Sequence, residues 1–145
     1  MIWAWRWLIY VGVLFLAGCA ALTVGSHFQS GRQALLRNDP ETALSYFHEV
    51  ADKNPTYIYH SMDFRESIWT YVGRAQYETK RYAEARKSLE RALSLDRDDN
   101  LARLYLGLTL TRSGELARGM KEIESAMQGI YDWIEYMNRT RPLQA

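Results

Sequence analysis

The 145-residue chain has a single cysteine, Cys19, so no disulfide can close within it. Its three histidines, His27, His48 and His60, are distant in sequence, and no group of cysteine, histidine and carboxylate has metal-ligand spacing. Neither a metal nor a cofactor is expected. There is no GxSxG, HExxH, GxxxxGK or CxxCH motif, so the hydrolase, metalloprotease, phosphate-loop and haem-attachment chemistries lose their usual carriers. The paired carboxylates Asp98 and Asp99 fall in a polar turn, where capping and solubility account for them. An enzyme is not expected. Runs of one charge sign are also missing: 18 Lys and Arg stand against 17 Asp and Glu, interleaved as in Glu84, Arg86, Lys87, Glu90 and Arg91. That pattern makes a solvated helix face and gives no stripe for nucleic acid.

What the chain does have is a period. Trp69, Val72-Gly73, then Ala85, Leu89 and Ala92 describe two antiparallel helices packed closely across a short turn, with Gly73 letting the second helix approach. A shift of 34 residues lands on Leu106-Gly107, Ile123 and Ala126. Upstream, Gly31, Ala43, Phe47 and Pro55 keep the same internal spacings, and the 12-residue step recurs from Gly31 to Ala43, Gly73 to Ala85 and Gly107 to Gly119. The first two glycines are 42 residues apart, so 8 extra residues, about 58–65, lie between copies one and two.

This pattern resembles the tetratricopeptide repeat family, whose 34-residue unit runs Trp, Leu-Gly, Tyr, then Ala, Phe, Ala and Pro. The middle copy fits best; the first has His27 and Ser30, and the third Arg103 and Gly119, where the family prefers Trp, Leu, Trp and Ala. The resemblance implies an all-α, three-repeat helical solenoid over residues 26–138, with helices at 26–37, 40–53, 65–79, 82–95, 101–112 and 115–127. Asp39, Pro40 and Glu41 suit a helix start, Asn54-Pro55 a stop, and Asp99 a cap. Gly129 is expected to end or bend the last repeat helix. Ile130, Trp133, Ile134 and Met137 then form a C-terminal capping helix at about 130–138, followed by a tail at 139–145 containing Pro142.

In that family the first helix of each repeat lines a concave groove that binds an extended peptide or another protein's helix. Carried over, the groove positions are Phe28, Arg32 and Leu35 in copy one, Thr70, Arg74 and Tyr77 in copy two, and Leu104, Leu108, Thr111 and Arg112 in copy three. The subgroup that clamps C-terminal carboxylates uses Lys and Asn at fixed groove positions. This chain has Phe28, Arg32, Tyr71, Leu101 and Tyr105 there, so that activity is not expected. The insertion is aromatic, with Tyr57, Tyr59, Met62 and Phe64, and either packs over the groove between copies or anchors a partner.

Residues Trp7–Val24 carry no charge, 18 positions or about 27 Å as a helix, so residues 1–25 read as a membrane segment. Leu16-Ala17-Gly18-Cys19 resembles the bacterial lipoprotein signal, which would make Cys19 a lipidation site. An uncleaved anchor is the other reading, because Trp3, Trp5, Trp7 and Tyr10 cluster at one end and Ala20–Val24 extends the apolar run. Either way Arg6 stays cytoplasmic and the repeats lie beyond the inner membrane, in the periplasm or outside, at a bacterial cell or outer membrane. The expected function is a membrane-tethered scaffold or assembly factor of the bacterial envelope that binds a protein partner. The alternative is a structural accessory subunit of a larger membrane complex or polymer, held by its N-terminal helix.

Overall fold

The computed structural model describes residues 23–61 and 64–140. Within them six helices and one hairpin follow in the order α1 (23–36), α2 (Pro40–Lys53), β1 (Ile58–Ser61), β2 (Phe64–Ser67), α3 (Ile68–Glu78), α4 (Tyr82–Leu95), α5 (Asn100–Arg112) and α6 (Leu116–Thr140). Cys19, Met62 and residues 1–22 lie outside the described residues. Among those described, no helix is long and apolar enough to cross a membrane. Successive helices pack on their neighbours, α2 on α3, α3 on α4, α4 on α5 and α5 on α6, so the helices stack as a solenoid.

The repeat period is visible in the turns. α1, α3 and α5 each end with one residue in left-handed conformation, Asn38 (φ 58°), Lys80 (φ 64°) and Gly114 (φ 91°). In each case the next N–H returns to a carbonyl five residues back: Asp39 to Ala34 at 2.9 Å, Arg81 to Gln76 at 2.8 Å and Glu115 to Leu110 at 3.0 Å. This closure satisfies the orphan carbonyls at the helix end and reverses the chain. Asp39 then accepts from the Thr42 N–H at 3.1 Å, and Pro40 begins α2.

The helices of a pair approach because a glycine stands at the contact. A Cβ on Gly73 would meet the Leu89 side chain at 2.5 Å, and one on Gly107 would meet the Gly119 carbonyl oxygen at 2.7 Å. The core forms two groups, one around Phe28, Phe47, Ile68 and Val72 and the other around Leu89, Ala92, Leu106 and Leu110, with Trp69 packed against both. Between repeats two and three, Asp99 caps α5 from a buried position, accepting from the Ala102 N–H at 2.8 Å, the Thr70 hydroxyl at 2.6 Å and the Ser67 N–H at 3.3 Å. The turn at Asp98 and Asp99 is therefore not wholly solvated: the capping role is right, but Asp99 is an interior tie between two repeats.

Two expectations about elements need correction. The insertion is a β-hairpin, pairing Ile58 with Ser67, Tyr59 with Glu66, His60 with Arg65 and Ser61 with Phe64. Accordingly α3 starts at Ile68, three residues later than the expected helix start at Arg65. Aromatic and β-branched residues at Tyr57, Ile58 and Tyr59 favour an extended backbone, and its base is fixed by Ile68 N–H to the Tyr57 carbonyl (2.9 Å) and Trp69 Nε1 to the Pro55 carbonyl (2.7 Å). Nor is there a separate capping helix at 130–138. α6 runs unbroken for 25 residues, and Gly129 lies within it facing the Asn100 side chain, which a Cβ there would displace. Its last turns reach the hairpin instead, with Trp133 against Phe64 at 4.0 Å between ring centroids.

Candidate functional site

The helices α1, α3 and α5 and the hairpin meet on one side of the stack. Together they enclose an open cleft of about 240 Å³. α1 contributes Arg32, Leu35 and Leu36, the hairpin Tyr59, Ser61, Phe64 and Glu66, α3 Tyr71 and Arg74, and α5 Leu101. Leu36 is 85% exposed, so the cleft opens onto an uncovered apolar lip.

Its polar groups are held in place by one another. Arg32 Nη1 donates to the Tyr59 hydroxyl at 2.9 Å and to Gln29 Oε1 at 3.3 Å, while its guanidinium lies 4.6 Å from the centre of the Tyr59 ring. Tyr71 donates its hydroxyl to Glu66, and burial together with that neighbouring carboxylate pushes the phenol pKa far above its ordinary value. Tyr71 thus stays a protonated donor. Arg74 Nε donates to Glu78 Oε1 at 3.0 Å. Burial works to lower the Arg74 pKa, but Glu78 and Tyr105 outweigh it and hold the value above normal. The cleft therefore presents two positioned cations, each still bearing unused donors, beside leucine, phenylalanine and tyrosine faces.

Residues 72–132 match a family model described as tetratricopeptide repeat. The fold is the tetratricopeptide-repeat solenoid. No curated protein matches the sequence. Among solved structures, the Arabidopsis OM64 tetratricopeptide domain superposes with a TM-score of 0.64 at 13% identity, covering 74% of this chain and 83% of that one. The second tetratricopeptide domain of human RPAP3, solved in complex with an HSP70 peptide, gives 0.62 at 16% identity over 76% and 85%. A mutant O-GlcNAc transferase from Thermobaculum terrenum gives 0.66 at 21% identity, over 79% of this chain and only 20% of the enzyme. Tetratricopeptide domains are in general protein-interaction modules without catalytic function, and the match to the enzyme covers a minor part of it.

The tetratricopeptide geometry separates the expected groove residues into three sets. Arg32, Leu35 and Arg74 come together in the cleft. Tyr77, Leu104, Leu108 and Thr111 are partly exposed on α3 and α5 outside the cleft, where Tyr77 packs edge-on to Tyr105 at 5.7 Å, and Arg112 is exposed beside Tyr77. Phe28 and Thr70 do not reach the groove. Phe28 is fully buried because Tyr57 and Tyr59 of the insertion roof it at 5.1 and 4.8 Å between centroids, and Thr70 is spent on Asp99.

Of the insertion residues, Tyr57 and Tyr59 are thus packed on the first-repeat core, while Phe64 lies between the cleft and α6. Sequence reasoning missed Leu36, Ser61 and Glu66. The hairpin brings in Ser61 and Glu66, and Leu36 joins because the chain turns sharply at Asn38; a strand reading of Tyr57–Tyr59 was the one available signal.

Proposed function

We propose that this tetratricopeptide domain is a protein-interaction scaffold that seats a segment of another protein in the hairpin-walled cleft. The observation that carries the reading is the cleft itself, where Leu35, Leu36, Phe64 and Leu101 offer apolar contact beside the fixed guanidinium groups of Arg32 and Arg74. A segment with an apolar side chain followed by a carboxylate complements that pair. The bound HSP70 peptide in the RPAP3 structure supports the use of such a fold for peptide capture.

In this proposal the domain works at a bacterial envelope membrane, tethered through the segment that precedes α1 as a lipoprotein acylated at Cys19 or as a single-pass anchor. Support comes from the uncharged run Trp7–Val24 and from Leu16-Ala17-Gly18-Cys19. Tethering confines the cleft to the membrane surface and raises its effective concentration toward envelope partners.

The test is affinity capture from solubilised native membranes with the full chain, Leu36→Glu and Arg74→Ala. A protein retained by the wild type and lost by both variants, at unchanged helicity, is the expected result. Equal retention by all three refutes the cleft as the binding site. Intact mass of the purified chain decides the tether: loss of Met1–Gly18 with added acyl groups marks a lipoprotein, and an unmodified start at Met1 marks an anchor.

A further inference from the structure

The cleft does not end at Phe64. Two further cavities, of about 220 and 260 Å³, also have Phe64 in their walls, and the smaller shares Glu66 and Leu101 with the cleft as well. The three adjoin around one phenylalanine ring. The added walls differ in kind from those of the cleft. Ile130 and Trp133 of α6 supply apolar surface, with the indole 4.0 Å from Phe64 between centroids. Carboxylates stand around them, Glu66 from β2 and Asp96, Asp98 and Asp99 from the α4 to α5 connection.

Two of these carboxylates are committed to the fold, since Asp99 caps α5 and Glu66 accepts the Tyr71 hydroxyl. The other two have capacity left. Asp96 accepts from the Asp98 N–H at 3.0 Å through one oxygen, and its second oxygen is 3.8 Å from Arg65 Nε, too long for a hydrogen bond. The Asp98 carboxylate is exposed and makes no hydrogen bond or ion pair among the described residues. Arg65 is the one basic residue in these walls, and its side chain is 58% exposed.

We propose that these cavities take a basic side chain from the same segment that the cleft seats, so that the domain selects a bipolar sequence. An acidic residue meets Arg32 and Arg74, an apolar residue meets Phe64 and Leu101, and an arginine or lysine meets Asp96 and Asp98. The inference rests on the cleft as the binding site. Charge complementarity fixes the order, because guanidinium groups line one side of Phe64's surroundings and unused carboxylates the other. A long basic side chain suits these walls better than a compact cation: its methylene stem lies along Phe64, Ile130 and Trp133 while its head reaches the carboxylates. A guanidinium gains further from the aromatic rings. No group of His, Cys, Asp and Glu among the described residues has the arrangement of a metal site.

The test is fluorescence anisotropy of the full chain with amidated peptides that carry a neutral fluorophore in place of the free amine. Each holds Glu, Leu and a third residue, Arg, Gln or Glu, separated by zero, one or two glycines and made in both chain directions. The tightest Arg peptide is expected to bind about tenfold more tightly than its Gln and Glu counterparts. Asp98→Asn removes that preference, and Asp98→Lys reverses it in favour of the Glu peptide, both at unchanged helicity because Asp98 is exposed. Arg74→Ala weakens the Arg and Gln peptides alike.

Equal binding of the Arg, Gln and Glu peptides to the wild type, still weakened by Arg74→Ala, refutes the bipolar extension and leaves the cleft standing. An Arg preference that survives Asp98→Lys places recognition of the basic residue elsewhere and also overturns the proposal. If no peptide binds, or Arg74→Ala changes nothing, the cleft fails as the site and the extension falls with it.

Discussion

Asp99 ties two repeats together through one buried carboxylate, and its removal gives the sharpest test of the packing described above. In Asp99→Ala, the Ala102 and Ser67 N–H groups lose their acceptor inside the protein, at about 1–3 kcal/mol each. The Thr70 hydroxyl escapes by turning to the carbonyl one helical turn back. Opposing this is relief of the carboxylate's own burial, which outweighs its three donors and holds its pKa above the ordinary aspartate value. The net expectation is a loss of about 2–4 kcal/mol. Asp99→Asn keeps an oxygen for the Ala102 cap while aiming an amide at the Ser67 N–H, and loses about 1–2 kcal/mol. Urea denaturation of the full chain, followed by far-ultraviolet circular dichroism, measures both. An Asp99→Ala midpoint corresponding to less than about 0.5 kcal/mol of destabilisation refutes the buried tie and returns Asp99 to a solvated turn.

Phe28→Ala is expected to destabilise the domain by about 3–5 kcal/mol, whereas Leu36→Ala stays within about 0.5 kcal/mol; equal effects by the same denaturation assay contradict a core Phe28 and an exposed Leu36. Gly107→Ala forces a Cβ against the Gly119 carbonyl oxygen and the Ile123 backbone nitrogen, and despite alanine's better helix propensity it should lower stability by about 1–2 kcal/mol. Lys80→Gly relieves a left-handed lysine at the α3 to α4 turn and should raise stability by about 0.5–1 kcal/mol, read as a shift in the urea midpoint. Trp133→Ala removes the ring stacked on Phe64, so amide exchange at residues 130–140 and in the hairpin should quicken together; faster exchange in only one of them shows that the two are not coupled.

The repeat period alone determined much of the architecture. A glycine at one helix contact and a small residue twelve positions on leave few ways to place two helices. Their recurrence at Gly31, Gly73 and Gly107 dictates a stack of such pairs. Local capping chemistry was equally legible at Asp39-Pro40, because it needs only residues a few positions apart. The groove positions were half legible: a repeat offset names Arg32 and Arg74, whose side chains follow the helix period into the cleft. The same offset misplaces Phe28, because no local rule says that an inserted hairpin will fold back and cover it.

Tertiary structure decided the rest for one physical reason: burial depends on elements distant in sequence. Asp99 is interior only because Ser67 and Thr70 arrive from 32 and 29 residues away. Gly129 suggests a helix end in the linear order, yet it lies inside α6 against the Asn100 side chain, which a Cβ there would displace. Trp133, whose helical spacing suits covering a repeat, meets the hairpin instead. Local sequence therefore set the helices and their period, while the cleft, its hairpin wall and the adjoining cavities exist only once the chain is packed.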